Sequence, residues 1–156
     1  MTDLEEFYAR YSGDVYRFAH SLTGNRAEAQ DIVSETFLRV WSARDDIRLA
    51  TVKAYLFAIA RNLFLHERRR PRSQEHLDEE WQDGAPGPAR SAEGRQRLSA
   101  ALAALQELPE TDRSAVLLRA EGVSYEEISA VLGVSVGSAK VKVHRARVRL
   151  ARIRNG

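Results

Sequence analysis

Residues 140–154 place seven Lys or Arg side chains in fifteen positions, with no carboxylate among them: Lys140, Lys142, Arg145, Arg147, Arg149, Arg152 and Arg154. Ammonium and guanidinium groups at this density suit phosphates and the acceptor edges of bases rather than bond-making. The remainder leans the other way. Residues 1–127 carry 17 Lys or Arg against 22 Asp or Glu, a net −5, while residues 128–156 carry +7, so the chain closes at +2. This asymmetry suggests a polyanion-binding end on a body with other duties, although charge taken alone favours a solvated amphipathic helix that ends the chain. Groups for covalent chemistry are missing or scattered. With no cysteine, disulfides, thiolate metal sites and cysteine nucleophiles are excluded. His20, His66, His76 and His144 have no ligand spacing, Asp31 and Glu35 stand one turn apart without a partner group, and neither a phosphate-cradling glycine loop nor a serine-centred elbow occurs. No enzymatic activity, metal or cofactor is expected.

The segment before the basic run says how it is positioned. In "VSYEEISAVLGVS" Ser124 can cap a helix and form a capping box with Glu127, Gly133 stands where a left-handed C-cap is needed, and Ser135 offers a new N-cap two residues later. Helix, tight glycine turn and capped helix make a helix-turn-helix. In the second helix Ala139, Val143, Ala146, Leu150 and Ile153 recur at spacings of 4, 3, 4 and 3, so one face is apolar and the complementary face basic. Docked by its stripe, such a helix presents Lys140, Lys142, His144, Arg145 and Arg147 to a DNA major groove. Arg145 suits the paired acceptors of guanine, and Arg152 and Arg154 also complement the helix dipole.

Elsewhere the chain is helical, with almost no strand signal, so an all-α fold is expected. Apolar clusters at 4–11 and 15–22 are interrupted by Gly13, predicting two short helices or one broken one. A helix from about 26 to Arg44 follows a turn at 23–25, and "VKAYLFAIARNLFLHERRR" carries another up to Pro71, with Phe57 and Phe64 expected in its core. Residues 71–92 hold three of the four prolines and the acidic cluster Asp78, Glu79, Glu80 and Asp83, which reads as a linker, with Trp81 pinning it locally. Two small helical domains are therefore predicted, at 1–70 and 93–156, each burying its own core. There is no apolar run of about 18 residues and no signal-peptide order at the N-terminus, so a cytoplasmic chain without membrane insertion is expected.

Two motifs in separate halves now resemble one family. "DIVSETFLRVW" at 31–41 and "AYLFAIARNLFLHERRR" at 54–70 look like consecutive segments of sigma factors, and "LPETDRSAVLLRAEGVSYEEISAVLGVSVGSAKVKVHRARVRL" is similar to that family's closing domain. The chain resembles an extracytoplasmic-function (ECF) sigma factor of the sigma-70 class. That resemblance implies a factor that binds core RNA polymerase and directs promoter recognition, −10 melting and initiation for a specific regulon. Residues 1–70 would hold polymerase and the −10 element, and residues 93–156 the duplex −35 element. It makes Asp31, Glu35, Phe37, Leu38 and Trp41 candidates for the polymerase interface, with Phe37 and Trp41 equally placed to be core. It makes Lys53, Tyr55, Arg61, Asn62, Arg68 and Arg69 candidates for capturing the single-stranded −10 element, helped by the loop at 45–52; Asn62 matches a family asparagine whose amide can meet a base edge. The −35 candidates are Ser135, Ser138, Lys140, Val141, Lys142, His144, Arg145 and Arg147. Val141 and Lys142 depart from the usual small or polar residue and arginine, and Val141 can meet a thymine methyl. An anti-sigma partner is a common family arrangement, and a chain ending at Gly156 is expected to lack a C-terminal extension. The closing segment also resembles the helix-turn-helix of response-regulator activators, but residues 1–70 show none of the strand and helix alternation of a receiver domain.

Overall fold

The computed structural model describes residues 3–42, 51–69 and 91–155. Among them the chain forms α1 (Asp3–Thr23), α2 (Arg26–Ser42), α3 (Val52–Arg69), α4 (Ala92–Gln106), α5 (Glu110–Ala120), α6 (Tyr125–Leu132) and α7 (Val136–Asn155), and no strand. Most of the expected loop at 45–52 and linker at 71–92, with Trp81 and the acidic cluster, lies outside the described residues.

α1 is continuous through Gly13, where a break was expected. An exposed glycine in a helix interior costs only about 1 kcal/mol relative to alanine. The flanking turns bury Val15, Phe18, Ala19 and Leu22, and each large apolar side chain returns about 1.5–3 kcal/mol, so burial outweighs the local penalty. The turn after α1 follows its residue types. Gly24 takes φ 71°, a left-handed value that favours glycine, and the side chain of Asn25 accepts the amide of Glu28 at 2.7 Å to cap α2. Ser91 caps α4 in the same way, accepting the amide of Gly94 at 2.9 Å.

α1, α2 and α3 pack together around Phe18, Ile32, Val33, Phe37, Leu56, Phe57 and Phe64, with the Phe18 and Phe57 rings 4.8 Å apart. α5, α6 and α7 close around Leu118, Val123, Ile128, Ala139, Val143 and Ala146. These two cores are not separate, as the sequence suggested they would be. α1 packs on α4 and α5, and α3 on α5 and α6, so that the buried apolar residues form one continuous cluster.

Polar contacts lock this junction. The buried Arg113 guanidinium donates to the carbonyls of Leu105 (3.0 Å) and Leu108 (3.1 Å) at the end of α4, and of Leu22 (2.8 Å) at the end of α1. One side chain therefore satisfies orphan carbonyls of two helix C-termini, the placement a cation prefers. Burial draws its pKa below the ordinary guanidinium value, against the nearby charge of Glu110. Gln106 adds a bond to the Ser21 carbonyl at 3.0 Å, and Arg17 forks onto the Glu121 carboxylate at 2.8 Å through both Nε and Nη2.

Candidate nucleic-acid interface

The helix-turn-helix runs from Ser124 to α7. Ser124 Oγ accepts the amide of Glu127 at 3.1 Å, but the reciprocal half of the capping box is absent: the Glu127 carboxylate faces Ser124 Oγ at 3.4 Å instead of its amide. Gly133 adopts φ 72° and ψ 36° as the C-cap of α6, and Ser129 Oγ donates to the Val134 carbonyl at 2.6 Å, fixing the turn. Ser135 then accepts the amide of Ser138 at 3.0 Å and starts α7.

Ala139, Val143 and Ala146 are buried and Leu150 is half-buried, as the stripe requires. Ile153 departs from it at 42% exposed. Ser135, Lys140, Val141, His144, Arg145 and Arg147 are exposed, and Ser138 and Lys142 are half-buried. Val141 is 53% exposed, an apolar side chain among the exposed cations of α7. Lys140 Nζ lies 5.7 Å from the Tyr125 ring, over which Arg119 also stacks. Arg145 was expected to point freely outward. It instead forks onto the buried Asp112 of α5, Nε to Oδ2 at 3.1 Å and Nη2 to Oδ1 at 2.9 Å, and these hydrogen bonds raise its pKa above the ordinary value.

The residues expected at the −10 element divide into two sets on α3. Asn62, Arg68 and Arg69 are exposed; Arg68 stacks over Phe64 at 4.5 Å and reaches Glu28 at 3.7 Å. Tyr55 is half-buried. Lys53 and Arg61 face the second helical group. Lys53 Nζ donates to the Glu121 carbonyl at 3.0 Å. Arg61 is buried, its guanidinium forked onto Glu110 at 2.6 and 2.9 Å, with Ser114 Oγ at 3.3 Å. Burial alone would raise the Glu110 carboxyl, but the hydrogen bonds from Arg61 and Ser114 outweigh it and hold the pKa below the usual carboxylate value. An arginine expected at a nucleic-acid face thus lies inside a protein junction, because α3 turns that face toward α5.

On α2, Asp31, Glu35, Leu38 and Trp41 lie along one exposed face at spacings of 4, 3 and 3. Leu38 is 60% and Trp41 45% exposed, whereas Phe37, one turn before Trp41, turns inward and is buried, its ring 4.9 Å from Tyr8 and 5.8 Å from Phe7. Tyr8 of α1, packed on Phe37, is itself 46% exposed. Tyr8 carries no signal of its own in the sequence, where it is one member of the apolar cluster at 4–11.

Among the described residues no three His, Asp or Glu side chains gather as metal ligands, and no helix is long and apolar enough to cross a membrane.

Comparison with known proteins converges on one family. Residues 7–74 match sigma-70 region 2 and residues 98–150 match sigma-70 region 4. ECF RNA polymerase sigma factor SigE of Mycolicibacterium smegmatis is 40% identical over 157 residues, covering 96% of this chain and 61% of that protein. SigM of Bacillus subtilis, also an ECF RNA polymerase sigma factor, is 30% identical over 158 residues, 97% of this chain and 95% of that protein. In solved structures, the sigma factor RpoE bound to the anti-sigma factor NepR from Bartonella quintana superposes with TM-score 0.76 at 25% identity, over 99% of this chain and 98% of that one. CnrH in complex with the cytosolic domain of CnrY gives 0.73 at 26%, over 97% and 87%. With both signature regions in order and relatives matched along almost all of its length, the chain belongs to the ECF sigma factors of the sigma-70 family.

Proposed function

We propose that this sigma factor divides its work between its two helical groups. Residues 1–70 bind core polymerase through Asp31, Glu35, Leu38 and Trp41, and hold the unwound −10 strand with Asn62, Arg68 and Arg69, joined by Lys53, Tyr55 and Arg61. Residues 93–156 read the −35 duplex, placing Ser135, Ser138, Lys140, Val141, Lys142, His144, Arg145 and Arg147 along the major groove. Residues 71–92 connect the two, and bond-making belongs to the polymerase, which places the factor in the cytoplasm. The observation that carries this reading is α7, which keeps Ala139, Val143 and Ala146 inside while Lys140, Val141, Arg145 and Arg147 stay outside.

Capturing the −10 strand takes several kcal/mol of unpairing, which stacking and phosphate contacts must offset. Lys53 and Arg61 contribute only once they leave Glu121 and Glu110, so the two helical groups must separate first. The packed arrangement is thus a resting form that polymerase opens. The family neighbours bound to NepR and CnrY support an anti-sigma partner for this chain too, one that favours the same closed form.

Run-off transcription with core polymerase on a promoter library tests the reading. Defined start sites preceded by a shared pair of elements at −35 and −10 are expected. Absence of any defined transcript, with duplex binding by the chain alone intact, would contradict it.

A further inference from the structure

The −35 reading makes Arg145 one of several cations on α7, yet its surroundings set it apart. Its partner Asp112 is the third residue of α5, with a side chain only 4% exposed, while that of Arg145 is 55% exposed. Among the described side chains of α7, Arg145 alone is held by a carboxylate. A buried acid this close to a polyanion would repel it unless neutralised, and Arg145 neutralises it. The pair therefore adds little net attraction for phosphates, which is a poor use of a phosphate-binding arginine.

It is a good arrangement for reading a base. Asp112 engages the Nε and Nη2 edge of the guanidinium and leaves the outer Nη1 and Nη2 hydrogens pointing end-on, the geometry that meets guanine O6 and N7 together. Because both hydrogen bonds exist before DNA arrives, the arginine's rotamers are already restricted, and the wrong base gains nothing from side-chain adjustment.

We propose that Asp112 is a positioning residue that fixes Arg145 end-on toward the major groove, so that Arg145 reads a single guanine of the −35 element rather than contacting phosphate. This rests on α7 being the −35 reader. Two consequences separate it from a merely structural role for Asp112. Removing the carboxylate should blunt the preference at one base pair, and it should strengthen binding to unrelated duplex, because an uncompensated cation is left behind.

The test uses the full chain with core polymerase and duplex promoters randomised across the −35 window. Base preferences are read by sequencing the retained DNA, and affinity for a non-promoter duplex is measured against salt. Arg145→Ala should erase a guanine preference at one position, and Asp112→Asn should reduce that same preference by about 5-fold or more, toward the lower end of the discrimination of a good bidentate pair. Asp112→Asn should also tighten non-promoter binding and steepen its salt dependence, and the double variant should match Arg145→Ala in base preference. Arg145→Lys, at an exposed position that does not depend on the Asp112 variant folding, should keep non-promoter affinity and lose the guanine preference. If Arg145→Ala changes no position, α7 does not read through Arg145 and the underlying assignment fails. If Arg145→Ala erases the preference while Asp112→Asn leaves it intact, or weakens all sequences alike, the positioning role is overturned; a guanine preference retained by Arg145→Lys overturns the end-on geometry.

Discussion

Glu110→Ala is expected to drive the two helical groups apart. The Arg61 side chain is 9% exposed, and Glu110 supplies both of its short contacts, leaving only Ser114 Oγ at 3.3 Å and the Val131 carbonyl at 3.5 Å. Breaking a fully buried ion pair by removing one partner costs about 3–5 kcal/mol. Glu110 keeps some solvent contact, so about 2 kcal/mol is the appropriate scale, roughly a 30-fold gain in the open population. Spin labels at the exposed Ser34 and Ser99 would report this as a longer, broader distance distribution, and an unchanged distribution would contradict it. Strong acid should act in the same direction. Because the Glu110 carboxyl is held below its ordinary value when packed, its contribution to closure is fully present above the usual carboxylate pKa of about 4.3, and is lost as pH falls through the lowered value. The Arg17 and Glu121 pair is equally short, but Arg17 is 59% exposed, and solvent-screened pairs contribute only about 0–1 kcal/mol. Arg17→Ala should therefore leave the distance distribution nearly unchanged.

The second large effect concerns polymerase. Leu38→Asp combined with Trp41→Ala should weaken binding to core polymerase at least about 30-fold, since anchoring apolar side chains at interface centres cost about 2 kcal/mol or more when removed. Neither side chain belongs to the buried core, so the thermal midpoint should move much less than on emptying a core site. Phe37→Ala, one residue from Leu38, should do the reverse. It empties a buried aromatic site and costs about 3–5 kcal/mol of stability. Measuring core affinity and thermal unfolding on both variants separates interface from core on one helix. A double variant that melts early, or binds polymerase as tightly as the parent, would remove α2 from the interface.

What the sequence disclosed, and what it concealed, follows from the range of each interaction. The helix-turn-helix was legible because Ser124, Gly133 and Ser135 act on amides within a few residues of themselves, where residue type nearly dictates geometry. The exposed face of α2 was legible for the same reason, since helical periodicity alone sets Asp31, Glu35 and Leu38 opposite Phe37. Gly13 misled because a local helix penalty is small beside the burial of Val15, Phe18 and Leu22 around it. Arg61 and Arg145 were read only as cations available to DNA, because their partners Glu110 and Asp112 lie 49 and 33 residues away in the chain and leave no trace in any spacing. The continuous core was hidden likewise. Leu22, Phe64 and Leu108 fit separate bundles just as well as a shared core, and only the docking of α1 and α3 on α5 decides between them.

The division of labour is tested most directly by transcription from promoters in which the −35 and −10 elements are altered independently, using the parent chain, Arg145→Ala and Asn62→Ala with core polymerase. Arg145→Ala should lose its response to changes in the −35 element and keep its response at −10. Asn62→Ala should keep −35 dependence and lose −10 selection, with slower opening of duplex templates than of templates already unpaired there. Equal loss of response to both elements in both variants would contradict the assignment of the two elements to separate helical groups.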